Sequence, residues 1–139
     1  MSAPIVFPDA QLAARDLLRS LLVGRFEPYA QGVTVSTKLP PGRDEAPALP
    51  WVRVVSDGKY RDSRLNGRAT IRFVVYHDDI GLCEQLAAFC EGLLLANHSG
   101  AIRNFSPLSG PLPSDDIDTG APLSFFTLTA RLRPTQLER

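Results

Sequence analysis

Gly67-Arg68-Ala69-Thr70-Ile71-Arg72-Phe73-Val74-Val75-Tyr76-His77, followed by Asp78, Asp79 and the apolar-rich run Ile80 to Asn97, decides the fold of this 139-residue chain. Ala69, Ile71, Phe73 and Val75 alternate with Thr70, Arg72, Val74 and Tyr76, the period of two expected of a strand with one face on a core. After the aspartates, Leu82, Cys83, Leu86, Phe89, Cys90, Leu93 and Leu94 recur at helical spacing as a wide apolar stripe, which suits a helix laid on a sheet. Asp78 and Asp79 stand where a helix N-cap is wanted, because a carboxylate there accepts from the first unpaired backbone N–H groups.

Working upstream, Asp57-Gly58 is a turn signal, and Lys59 to Asn66 reads as a hairpin connection or wide loop. Trp51 to Asp57 is a strand, with Val52 and Val54 alternating with Trp51, Arg53 and Val55. Before it, Leu39 to Pro50 carries Pro40, Pro41, Gly42, Pro47 and Pro50 around Arg43, Asp44 and Glu45, so a long charged loop is expected. Val33 to Lys38 is a short strand. Asp9 caps a first helix reaching about Val23, with Ala14, Leu17, Leu18, Leu21 and Leu22 on one side. Ala3 to Pro8 reads as an extended arm. Downstream of the second helix, Ile102 to Phe105 is a short apolar piece. Ser106 to Pro122, with four prolines, two glycines and Asp115, Asp116 and Asp118, reads as irregular. The last strand, Leu123 to Arg133, sets Phe126, Leu128, Ala130 and Leu132 against Thr127, Thr129, Arg131 and Arg133, and Pro134 ends it.

No composition break divides residues 1–139, so one domain is expected. The order helix, three strands, helix, strand predicts an α+β fold. Its simplest form has two helices packed on one face of a roughly four-stranded, mostly antiparallel sheet, with long Pro-rich loops. Hydrophobic residues make up 44% and charged residues 22%, enough for one packed core without disulfides. Fifteen basic residues balance fifteen acidic ones, so no global field draws in nucleic acid or an anionic membrane. The basic residues are thirteen arginines and two lysines, an imbalance that fits a GC-rich genome. Residues 1–8 carry no signal-peptide pattern, and no apolar run approaches the ~18 residues of a membrane span. The chain therefore reads as made and kept in the cytosol.

Several clusters invite a chemical reading. His77 beside Asp78 and Asp79 has the components of a metal site or general base, yet neighbours on an extended strand point to opposite faces, which favours helix capping. Asp115, Asp116 and Asp118 have calcium-ligand character, but the closing bidentate glutamate of a calcium loop is missing. They suit solvated loop charge or an intersubunit ion pair. Cys83 and Cys90 lie about 10.5 Å apart along a helix, too far for a disulfide, and read as core side chains without a histidine to complete a metal set. Arg53, Arg72, Arg131 and Arg133 fall on outward registers of strands and are expected to share one face. That face would be solvated, or pair with acidic residues of a neighbouring subunit, or track a phosphate backbone. Nucleophile-elbow, Walker, G-x-G-x-x-G and C-x-x-C motifs are absent. No catalytic residue, cofactor or metal is expected.

Val33-Thr34-Val35-Ser36-Thr37-Lys38-Leu39-Pro40, the Pro-rich loop, Pro50-Trp51-Val52-Arg53-Val54-Val55-Ser56-Asp57-Gly58, the strand ending Val74-Val75-Tyr76-His77, a helix, and the terminal Ala130-Arg131-Leu132-Arg133 together form a pattern spanning nearly the whole chain. It resembles the tail terminator (tail completion) proteins of long-tailed, non-contractile bacteriophages, especially those of actinobacteria. The resemblance implies a virion structural protein, located at the head-proximal end of the tail after assembly in the host cytoplasm. It would form a ring, typically a hexamer, that caps the tail tube, stops its polymerisation and offers a surface to the head connector. The implied partners are further copies, the tube protein and the connector or neck protein, with no membrane and no sequence-specific nucleic acid, although DNA passes through such a ring. The loops Leu39 to Pro50 (Arg43, Asp44, Glu45) and Ser106 to Pro122, together with Trp51 and the arginine face, are the expected contacts, and an exposed sheet edge would let the sheet continue across subunits. Alternatives are a head-completion or neck protein of the same particle, a nucleic-acid-binding module using the arginine face, and a small hydrolase using His77 with Asp78 or Asp79.

Overall fold

The computed structural model describes residues 3–41 and 49–137. Two helices pack on one face of a five-stranded mixed sheet, and a separate pair of short strands joins the two terminal arms. The α+β class expected from the sequence is the class observed. In chain order the elements are β1 (Ile5–Val6), α1 (Ala10–Leu22), a 3-10 turn (Pro28–Ala30), β2 (Thr34–Ser36), β3 (Trp51–Arg61), β4 (Gly67–Tyr76), α2 (Ile80–Leu95), β5 (Ile102–Asp115), β6 (Pro122–Leu132) and β7 (Thr135–Gln136). The main sheet runs β2-β3-β4-β6-β5.

The deciding stretch becomes the central strand. Ala69, Ile71, Phe73 and Val75 are fully buried under the helices, and β4 pairs antiparallel with β3 on one side and β6 on the other. Phe73 stacks on Phe126 across β4 and β6, with ring centres 5.0 Å apart. The helix α2 lies over β4, β5 and β6 and buries Cys83, Leu86, Ala87, Cys90 and Leu94. In turn α1 covers β2 and β3 with Ala10, Ala14, Leu18 and Leu22. Both N-caps form as expected, Asp9 accepting from Leu12 N (3.1 Å) and Asp79 from Leu82 N (2.9 Å). Asp79→Ala should therefore cost about 1 kcal/mol in chemical denaturation.

Three local expectations are corrected. First, Asp57-Gly58 does not turn the chain. Gly58 sits in a bulge of β3, covered by the Tyr60 ring, and the freed Ser56 N–H donates to Gln11 of α1 (3.0 Å). The hairpin turn lies at residues 62–66, closed by Asp62 N donating to Asn66 O (2.8 Å). Second, β2 pairs parallel with β3, which the long connection between them allows. Third, Ser106 to Asp115 is not irregular, because it continues β5 against β6. Pro107, Pro111 and Pro113 are tolerated because β5 is the last strand of the sheet and need not donate on its outer side. Deleting 106–122, which as a loop would be dispensable for folding, would remove a structural strand. The main sheet leaves β2 and β5 as its outer strands, and both edges carry local interruptions. Those prolines withdraw donors from the β5 edge, and at the short β2 the Val35 carbonyl is taken by Arg19 Nη2 at 2.6 Å.

The N-terminal arm is extended, as expected. It is held by the cations of the β3–β4 hairpin: Lys59 Nζ donates to the carbonyls of Phe7 (3.2 Å) and Pro8 (3.0 Å), and Arg61 Nη2 to that of Ile5 (2.8 Å). The Phe7 ring lies under the Arg61 guanidinium and against Gly67, where a Cβ would come within 2.9 Å of it.

Candidate functional site

The alternation that buries one face of the sheet sends the opposite residues to the other, which no helix covers among the described residues. Directly paired residues share a face, so rows of side chains can be read across the strands. Trp51, Tyr76, Leu123 and Ser114 form one row, Arg53, Val74, Phe125 and Leu112 the next, and Val55, Arg72, Thr127 and Ser109 the third. Arg53 and Arg72 are thus diagonal neighbours at the edge of an apolar strip of Val74, Phe125 and Leu112 (the last 49% exposed).

The two arginines are incompletely partnered. In both, Nε is shut off from water and has no hydrogen-bond acceptor. A terminal nitrogen of Arg72 reaches Asp57 at 3.5 Å, a loose pair, and Arg53 forms no ion pair among the described residues. Most buried donors in folded proteins find acceptors, so two orphaned guanidinium N–H groups on one face call for an explanation. Beside them, Trp51 Nε1 donates to Lys38 O (2.9 Å) and the Tyr76 phenol is nearly buried. Burial raises the Tyr76 pKa, the Asp116 charge adds to this, and Arg53 and Arg72 oppose it.

Beyond the first row the β5–β6 hairpin projects as a turn. It is closed by Asp116 N donating to Ala121 O (2.9 Å) and Gly120 N to Asp116 O (2.8 Å), with Gly120 at φ +71°. The Asp116 carboxylate accepts from Asp118 N (3.2 Å) and Thr119 Oγ1 (2.8 Å), so it orders the turn. Ile117, at the tip, is 97% exposed.

The expected arginine face is therefore only half assembled. Arg53 and Arg72 belong to it. Arg131 lies at the far end of the sheet opposite Arg68, which is itself paired with Asp62. Arg133 has left the sheet, because β6 ends at Leu132, and its Nε donates to Ser99 O (3.3 Å). Arg43, Asp44 and Glu45 lie outside the described residues. Sequence reasoning missed Val74, Phe125, Leu112 and Ile117. The first two were legible as the outward partners of a period-two strand, but Leu112 and Ile117 were hidden in a segment read as irregular.

His77 and Asp78 also depart from expectation. The strand ends at Tyr76, so the two residues do not follow strand geometry, and His77 Nδ1 lies 2.7 Å from Asp78 Oδ1. The imidazole is buried and the carboxylate is mostly exposed, while Asp79 is committed to the helix cap. No three metal-ligating side chains converge among the described residues. An open cleft of about 360 Å³ lined by Val6, Phe7, Lys59, Tyr60 and Arg61 has its lysine and arginine turned to arm carbonyls.

Cys83 and Cys90 are free and buried, as expected. Burial pushes their thiols up to about 11 and about 12. At pH 8 neither is a thiolate, so native protein should resist a disulfide-exchange reagent and both thiols should react once urea unfolds the chain. Folded pKa values above the ordinary value near 9.0 favour the folded state fully below pH 9. That contribution is lost as pH rises through the folded values, so the urea midpoint should fall progressively above pH 9.

No protein-family model and no curated protein matches the sequence.

Proposed function

We propose that the chain is a virion structural protein, the tail terminator of a long-tailed bacteriophage. It would form a ring that caps the head-proximal end of the tail tube, ends tube growth and presents the surface that receives the head connector. The observation that carries this reading is the uncovered sheet face on which Arg53, without an ion pair among the described residues, and Arg72, only loosely paired with Asp57, border the apolar strip of Val74, Phe125 and Leu112, a combination that suits contact with another protein. The sequence pattern supplies the class of particle, and the heterologous contact of a ring supplies a use for unlike surfaces on one chain. A phosphate-tracking alternative is less well supported: Lys59, Arg61 and Arg64 donate to backbone carbonyls of the arm, and Arg53 and Arg72 sit apart from Arg131 and Arg133.

Electron microscopy of particles lacking the protein tests the proposal. Overlong tail tubes are the expected result, because tube growth would lose its stop. Full heads beside unattached tails of normal length would refute termination and assign the chain to the neck.

A further inference from the structure

We propose that the turn between β5 and β6 of one copy seats on the arginine-bearing sheet face of a second copy. Ile117 enters the strip of Val74, Phe125 and Leu112, and the carboxylates of Asp115 and Asp116 meet the outer, terminal nitrogens of the Arg53 and Arg72 guanidinium groups. The inference rests on the ring-forming reading above and specifies its contact.

The two surfaces match in chemistry and order. The face is an apolar strip bordered by two cations, Arg72 with a 41% exposed side chain held only loosely by Asp57 and Arg53 with no ion pair among the described residues. The turn is an apolar point, 97% exposed, with carboxylates immediately before it in the chain. Backbone and side-chain bonds within the turn hold it in one shape, which lowers the ordering cost of docking. Among the described residues, a subunit does not fill its own face in this way. Pairing of β5 with β6 runs to Asp115 and Pro122, past the row of Tyr76 and Leu123, so the turn projects along the strands away from Arg53 and Arg72. Neither arginine forms an ion pair with the turn among the described residues. The edges of the sheet are interrupted by the β5 prolines and by the Arg19 bond to Val35, whereas the side-chain surfaces of face and turn are open. Because the turn and the face are different parts of the molecule, the contact is head-to-tail and repeats from copy to copy.

The test uses the full chain in two variants, Arg53→Glu/Arg72→Glu on the face and Asp115→Lys/Ile117→Lys on the turn, followed by sedimentation velocity. The parent is expected to associate with rising concentration, and each variant to associate at least tenfold more weakly. A 1:1 mixture of the two variants is expected to form dimers and stop there, since only one good face and one good turn can meet. The turn variant alters an exposed tip and keeps the test decisive should the face variant fail to fold. Association of the turn variant, or of a folded face variant, equal to that of the parent would overturn this contact while leaving ring formation standing. A parent that stays monomeric at every concentration would overturn both.

Discussion

Phe73→Ala should destabilise the protein by about 3–5 kcal/mol and lower its melting temperature on the order of 10–20 °C. Phe73 is fully buried on the central strand, opposite Val54 of β3 and Phe126 of β6, with its ring stacked on that of Phe126. Truncation removes the stacking partner and leaves a hole that two flanking strands and a helix prevent from closing. Against a typical total of roughly 5–15 kcal/mol, this is a large share. Phe26, 82% exposed, provides the control, because its replacement by alanine should move the transition by less than about 0.5 kcal/mol. Equal shifts for the two variants would mean that β4 is not the centre of the core.

Gly110→Ala is the second large effect, at about 2–5 kcal/mol. Gly110 has φ +83°, where an L-residue pays about 1–2 kcal/mol. An added Cβ would also lie 2.5 Å from Phe125 O and 2.8 Å from Phe126 Cα. These are backbone atoms of β6, which cannot swing aside, so β5 must lift from its partner at a further cost of roughly 1–3 kcal/mol. Hydrogen exchange should show amides of β5 and β6 losing protection before those of α1. Gly24→Ala isolates the conformational part. Gly24 has φ +73° but nothing within 4 Å of the added carbon, so only the conformational cost of about 1–2 kcal/mol is expected there.

The core was legible because it obeys simple periods. Ala69 to Tyr76, the stripe of α2 and the caps Asp9 and Asp79 all stand where spacing and capping chemistry place them. What spacing could not resolve was tertiary context. Pro107, Pro111 and Pro113 argue against a strand unless it is known to be the outermost, and only the assembled sheet order supplies that. Gly58 after Asp57 has the composition of a turn, yet β3 carries it as a bulge under Tyr60. The same limit governs the candidate site. Arg53 and Arg72 were found by alternation, while Arg133 was misplaced because the strand stops one residue earlier. Ile117 gave no signal until β5 and β6 were seen to form a hairpin with that residue at its apex.

The prolines of β5 and the Arg19 cap on Val35 have a consequence for the crowded conditions in which many identical copies accumulate. Backbone-to-backbone recruitment, the route to fibrous aggregates, is interrupted at these points along the strands that would seed it. Encounters between copies are then governed by side chains, whose bonds break and re-form readily, so a wrongly placed molecule can leave and try again.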